Sequence, residues 1–81
     1  MNIDVLFFAS ARDLAGVSQV RVELPDGADV AALLRHLTQD RPALEPVRAS
    51  ARFARNEEFV DLATPLQDGD QVAWLPPVSG G

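Results

Sequence analysis

Large apolar side chains fall on both parities of the opening stretch "NIDVLFFA": Ile3, Val5 and Phe7 on one face, Leu6 and Phe8 on the other. Alternation with bulk on both sides predicts a central strand covered on at least one face. "SARDLAGVS" follows, and its Gly16 predicts a single helical turn over residues 11–15, stopped by that glycine. "QVRVEL" then alternates cleanly, with Val20, Val22 and Leu24 inward and Gln19, Arg21 and Glu23 outward. It closes at the turn "PDGA", and the two strands read as a hairpin with a short connection.

Helical spacing takes over next. Val30, Leu33, Leu34 and Leu37 fall at i, i+3, i+4 and i+7, one apolar stripe, with Asp29 placed to cap the first turn and Pro42 to end the helix. "RPALEPV" reads as a loop or irregular crossover. "ASARFARN" and "EEFVDL" read as two short strands around a turn at Asn56-Glu57. After the turn Asp68-Gly69-Asp70, a last strand runs from Gln71 to Leu75 and stops at Pro76-Pro77, which cannot donate to a ladder. A strand pair, one long helix and short strands ending in an apolar return strand predict an α+β domain. The arrangement is the β-grasp (ubiquitin-like) one, a mixed sheet packed on one main helix with the last strand beside the first. The expected division is a domain over 1–75 and a flexible C-terminal tail over 76–81.

Composition narrows what such a domain does. An 81-residue chain with 47% hydrophobic residues suffices for one packed core. The chain has no cysteine, which rules out disulfides, thiolate metal sites and a cysteine nucleophile, and fits a cytoplasmic protein. A net charge of −5 without clustered basic residues argues against nucleic acid and anionic membranes as partners. No apolar run approaches the ~20 residues of a membrane span. "MNIDVLFFASA" lacks a basic leader and carries Asp4, so it reads as mature protein.

The body offers little chemistry. His36 is the only histidine and sits on the helix flank, with no partner for a metal site or a triad. The pairs Glu57-Glu58 and Asp68-Asp70 lie in turns, where Asp suits the backbone and charge keeps the loop solvated. The glycines form no phosphate-cradling loop. That leaves "WLPPVSGG". A terminal carboxylate becomes an acyl donor once adenylated, provided it reaches another protein's active site. Gly80 and Gly81 lack a Cβ and suit a narrow channel, and Pro76 and Pro77 stiffen the exit. Six residues span at most ~20 Å.

These residues resemble a known family. "DGDQVAWLPPVSGG", "VLFFASARDLAG" and "RNEEFVD" look like the MoaD family, the small, sulfur-carrying subunit of molybdopterin synthase. The likeness covers essentially the whole chain and is loosest over residues 43–54. It implies that a MoeB-like enzyme spends ATP to adenylate Gly81, whose carboxylate then becomes a thiocarboxylate. It further implies insertion of the tail (Pro76, Pro77, Val78, Ser79, Gly80) into a MoaE-like large subunit, which holds the catalytic groups. Sulfur then passes to cyclic pyranopterin monophosphate. No cofactor and no metal are expected on this chain.

Phe7, Trp74, Leu75 and Val78 are candidates for a docking patch. Trp74 and Leu75 face opposite ways, and the expectation is Leu75 with Phe7 at the interface. All seven basic residues are arginine; coding bias explains this, or else the absence of lysine spares the carrier from acylation by its siblings. The rivals are a ThiS-type carrier for thiazole synthesis, a ubiquitin-like modifier and a non-covalent β-grasp adaptor with an idle tail.

Overall fold

The computed structural model describes residues 1–77. The expectations for Val78, Ser79, Gly80 and Gly81 lie outside the described residues. Strand β1 (Asn2–Phe7) leads through helix α1 (Ala9–Ala15) to β2 (Gln19–Glu23) and then to α2 (Val30–Asp40). A 3-10 segment (Pro42–Val47) precedes β3 (Arg52–Arg55), β4 (Glu58–Val60) and β5 (Gln71–Leu75). The five strands form one sheet in the order β2-β1-β5-β3-β4. First and last strands pair in parallel at its centre, and the other pairs are antiparallel. This is the β-grasp arrangement.

A parallel pair needs a crossover, and α2 lies on the route between β1 and β5. Its stripe (Val30, Leu33, Leu34, Leu37) is buried in one core with Ile3, Val5, Phe7, Val22, Phe53, Val72 and Trp74. The Asp29 carboxylate accepts from the Ala32 amide at 2.9 Å, satisfying one orphan donor of the first turn. Two further helix-start amides, of Val30 and Ala31, donate to the carbonyls of Thr64 and Leu62. The chain after β4 therefore braces the start of the helix. At its other end Pro42 pushes Arg41 out of helical geometry, to φ −130° and ψ 80°.

Several local expectations shift. The helical turn after β1 begins two residues earlier than expected, at Ala9, and Gly16 stops it in the left-handed region at φ 78°. The link between β1 and β2 therefore carries a helix and is not a short hairpin turn. Residues 42–47 form a 3-10 segment because Leu44 is fully buried and draws the backbone down onto α1 and α2. Asn56 and Glu57 both have positive φ, 48° and 74°, the two-residue turn whose twist matches a hairpin.

Asp70 does not keep its loop solvated. It is 8% exposed and accepts from Asn56 Nδ2 at 3.0 Å and from the Gln67 amide at 2.8 Å. Asn56 in turn accepts from the Gln71 amide, so this pair fastens the β3–β4 turn to the start of β5.

Candidate functional site

Strand register places the site. Residues paired across a sheet share a face, so Phe7, Trp74, Phe53 and Val60 lie together on the α2 side. Phe7 and Phe53 pack on Trp74 with ring centroids 6.2 and 5.3 Å away. Phe7 is 2% exposed and Trp74 1%. Phe7 is therefore a core residue and not a docking residue, which corrects that expectation. Its parity on β1 matches Trp74, and α2 covers that side.

The opposite face carries no helix. One row of it crosses four strands as Leu6, Ala73, Ala54 and Phe59. Above it, toward the C-terminal end of β5, Leu75 stands opposite Arg52 on β3. On the β1 side the Phe8 amide donates to the Trp74 carbonyl at 3.2 Å. Phe8 and Arg52 thus flank the point where the chain leaves the sheet. Leu75 is half-buried, as expected of a residue turned away from Trp74, while Phe8 is 43% and Phe59 65% exposed. Pro76 and Pro77 are exposed beyond them. Farther down this face the positions turn polar: Asn2, Asp4 and Gln71, with Arg21 donating to Asp4 at 3.0 Å.

An apolar half-face at the root of the tail is suited to dock a partner that receives the chain terminus. The sequence expectation placed Leu75 at the interface; Phe8, Phe59, Ala73 and Arg52, which share this face, were not part of it. The sequence carries the alternation of Phe7 and Phe8, but the pairing of Phe7 with Trp74 that puts Phe8 on the open face is visible only in the sheet. Phe8 is held there by a backbone reversal in which Ala9 takes φ 52°, a rare geometry for a residue with a Cβ. His36 is exposed on α2, and no group of three His, Cys, Asp or Glu among the described residues is placed to hold a metal ion. No helix among them is long and apolar enough to cross a membrane.

Sheet order, crossover helix and open face together define a β-grasp protein of the ubiquitin-like class. A profile described as the ThiS family matches residues 5–81. A molybdopterin synthase sulfur carrier subunit of Chlamydomonas reinhardtii is 45% identical, with both chains covered completely. The chain belongs to the ThiS family. Among solved structures, SAMP1 of Haloferax volcanii superposes with a TM-score of 0.88 at 32% identity, both chains again covered completely. A complex of subunits 1 and 2 of molybdopterin-converting factor from Helicobacter pylori gives 0.73 at 30% identity over the full length of both chains.

Proposed function

We propose that this chain is the sulfur carrier of a molybdopterin synthase and that its reactive group is the carboxylate of Gly81. The observation that carries the reading is the apolar half-face at the root of "PPVSGG". Leu75, Phe8 and Phe59 supply a docking surface there, and the packed side chains of the body build it into a rigid sheet. The full-length likeness to a named sulfur carrier supports the same reading.

In the proposed cycle a MoeB-like enzyme holds ATP. A Gly81 carboxylate oxygen attacks the α-phosphorus, pyrophosphate leaves, and an acyl-adenylate forms. A sulfur nucleophile delivering a sulfide equivalent then attacks the acyl carbon, AMP leaves, and the terminus becomes a thiocarboxylate. Gly80 gives the tail clearance, and Pro76, Pro77, Val78 and Ser79 guide it into a MoaE-like large subunit. There the thiocarboxylate sulfur bonds to a carbon of cyclic pyranopterin monophosphate as an oxygen substituent leaves that carbon, and water then cleaves the acyl–sulfur bond, so that the sulfur stays on the pterin and the Gly81 carboxylate is restored. A dithiolene needs two sulfurs, so two loaded tails serve each product. The acid–base groups belong to the large subunit, ATP to the activating enzyme, and the cycle runs in the cytoplasm.

Intact mass spectrometry after incubation with ATP, an adenylating enzyme and a sulfur source tests this. The expected result is a gain of one oxygen-to-sulfur exchange, localised to the C-terminal peptide. Covalent ladders to lysines of other proteins would instead mark a modifier, a reading kept in view by the likeness to SAMP1, the small archaeal modifier protein 1. Sulfur passed to a thiazole-forming enzyme in place of the large subunit would mark the ThiS-type pathway.

A further inference from the structure

We propose that Arg52 selects the large subunit by pairing with a carboxylate that the partner places beside the root of the tail. The proposal rests on the docking role of the half-face and names the charge its partner must carry. Arg52 stands directly across from Leu75. Ala54, two residues on, shares its face and pairs with both Ala73 and Phe59. A surface that covers Leu75 and Phe59 together must cross β3, and on this face β3 presents only Arg52 and Ala54. Adjacent strands lie ~4.8 Å apart, so the crossing spans ~10 Å. That is well inside the footprint of an ordinary interface, ~800 Å² per partner.

Docking therefore strips water from a guanidinium that cannot shed its proton. Such a group is costly to cover unless an anion meets it. In the free chain Arg52 is exposed and makes no hydrogen bond or ion pair among the described residues. The other arginines on strands are engaged, Arg21 with Asp4 and Arg55 with the Pro65 carbonyl. The one acid beside it on β4's continuation, Asp61, turns its Oδ1 to its own loop, accepting from the Ala63 amide at 3.0 Å and the Thr64 hydroxyl at 3.1 Å, and forms no ion pair with Arg52. Arg52 is thus the one charged side chain among Leu6, Ala54, Phe59, Ala73 and Leu75, and its counter-ion has to come from outside. A planar guanidinium is matched by a carboxylate, which can accept from it through two parallel hydrogen bonds. A basic residue at that point in a wrong partner would be rejected by like charge.

Affinity of the full-length chain for the large subunit from the same organism, measured calorimetrically at two salt concentrations, tests this. R52E is expected to weaken binding about 30-fold or more, and R52L by less. R52L should also flatten the salt dependence of the affinity, R52K should restore part of the loss, and D61N should bind like the wild-type chain. Unchanged binding by R52E overturns the proposal. So does an equal loss in D61N, which would show that the pair is internal. L75D separates the two levels: if it fails to bind while R52E binds normally, only the Arg52 proposal falls. If L75D itself binds normally, the docking reading falls and takes the proposal with it. Matching melting curves keep each result a statement about the surface.

Discussion

Trp74 and Leu75 are neighbours on β5 and serve opposite sides of the sheet. Trp74 is 1% exposed between Phe7 and Phe53, its ring edge-on to Phe53 at 5.3 Å, while Leu75 is half-buried on the face away from α2. The period-two geometry of a strand makes the end of β5 both the anchor of the core and the start of the apolar half-face.

The two positions should therefore separate stability from binding. Trp74→Ala is expected to cost about 3–5 kcal/mol, a large share of the stability of so small a domain. Leu75→Ser is expected to cost under ~1 kcal/mol while sharply weakening association with the large subunit. Urea unfolding followed by circular dichroism, alongside a binding titration, checks both. Equal destabilisation by the two variants would refute the division of faces.

Deleting Gly81 is expected to leave the melting curve unchanged, because the buried core is built by residues from Ile3 to Trp74. The same deletion should abolish thiocarboxylate formation, while non-covalent docking through the half-face persists. Mass spectrometry of the activation reaction and a pull-down with the large subunit read the two effects. Retained sulfur loading would remove Gly81 from the proposed chemistry.

Asp29→Ala should destabilise the domain by about 1 kcal/mol, the worth of a single side-chain cap. Asp29→Ser or Asp29→Asn should recover most of it, since either still offers an oxygen to the Ala32 amide. Denaturant midpoints at constant slope measure the series. Loss of stability in all three alike would mean that charge, not the cap, matters at this position.

Asp70→Ala should cost about 1–3 kcal/mol, because it strips the Asn56 side chain and the Gln67 amide of their acceptor. Asn56→Ala should cost a comparable amount. The double variant should cost less than the sum, as expected for partners in one network. A thermodynamic cycle from urea unfolding decides; strict additivity would uncouple them.

Most of the fold was legible because its determinants are local or periodic. The α2 stripe with Asp29 and Pro42, the alternation of β1 and β2, and the turn at Asn56-Glu57 each carry their own signal. What escaped depended on parity between distant strands. Phe7 and Phe8 are chemically alike, and only pairing with Trp74 on β5 decides which one is buried. Arg52 was invisible for the same reason, since nothing near it in sequence says that it faces Leu75. Asp70 looked like an ordinary turn residue because its partner Asn56 belongs to another hairpin. The chemistry proposed for the tail rests on elimination and family likeness, while the shape of the apolar half-face needed the sheet.

Glu57 provides a last test, this time of strain. It occupies φ 74° at the second position of the Asn56-Glu57 turn, where a Cβ is disfavoured and glycine is the usual residue. Left-handed geometry costs a non-glycine residue roughly 1–2 kcal/mol. Replacing Glu57 with glycine relieves this and loses no contact, since the side chain is exposed and makes no hydrogen bond or ion pair among the described residues. Part of the gain is returned through the greater freedom of glycine in the unfolded chain. The net expectation for Glu57→Gly is a stabilisation of about 0.5–1 kcal/mol, read as a higher urea midpoint at unchanged slope. Binding to the large subunit should not change, because the turn lies at the end of β3 away from Arg52 and Leu75. A destabilised Glu57→Gly variant would mean that the Glu57 side chain contributes more to the hairpin than its backbone angle costs.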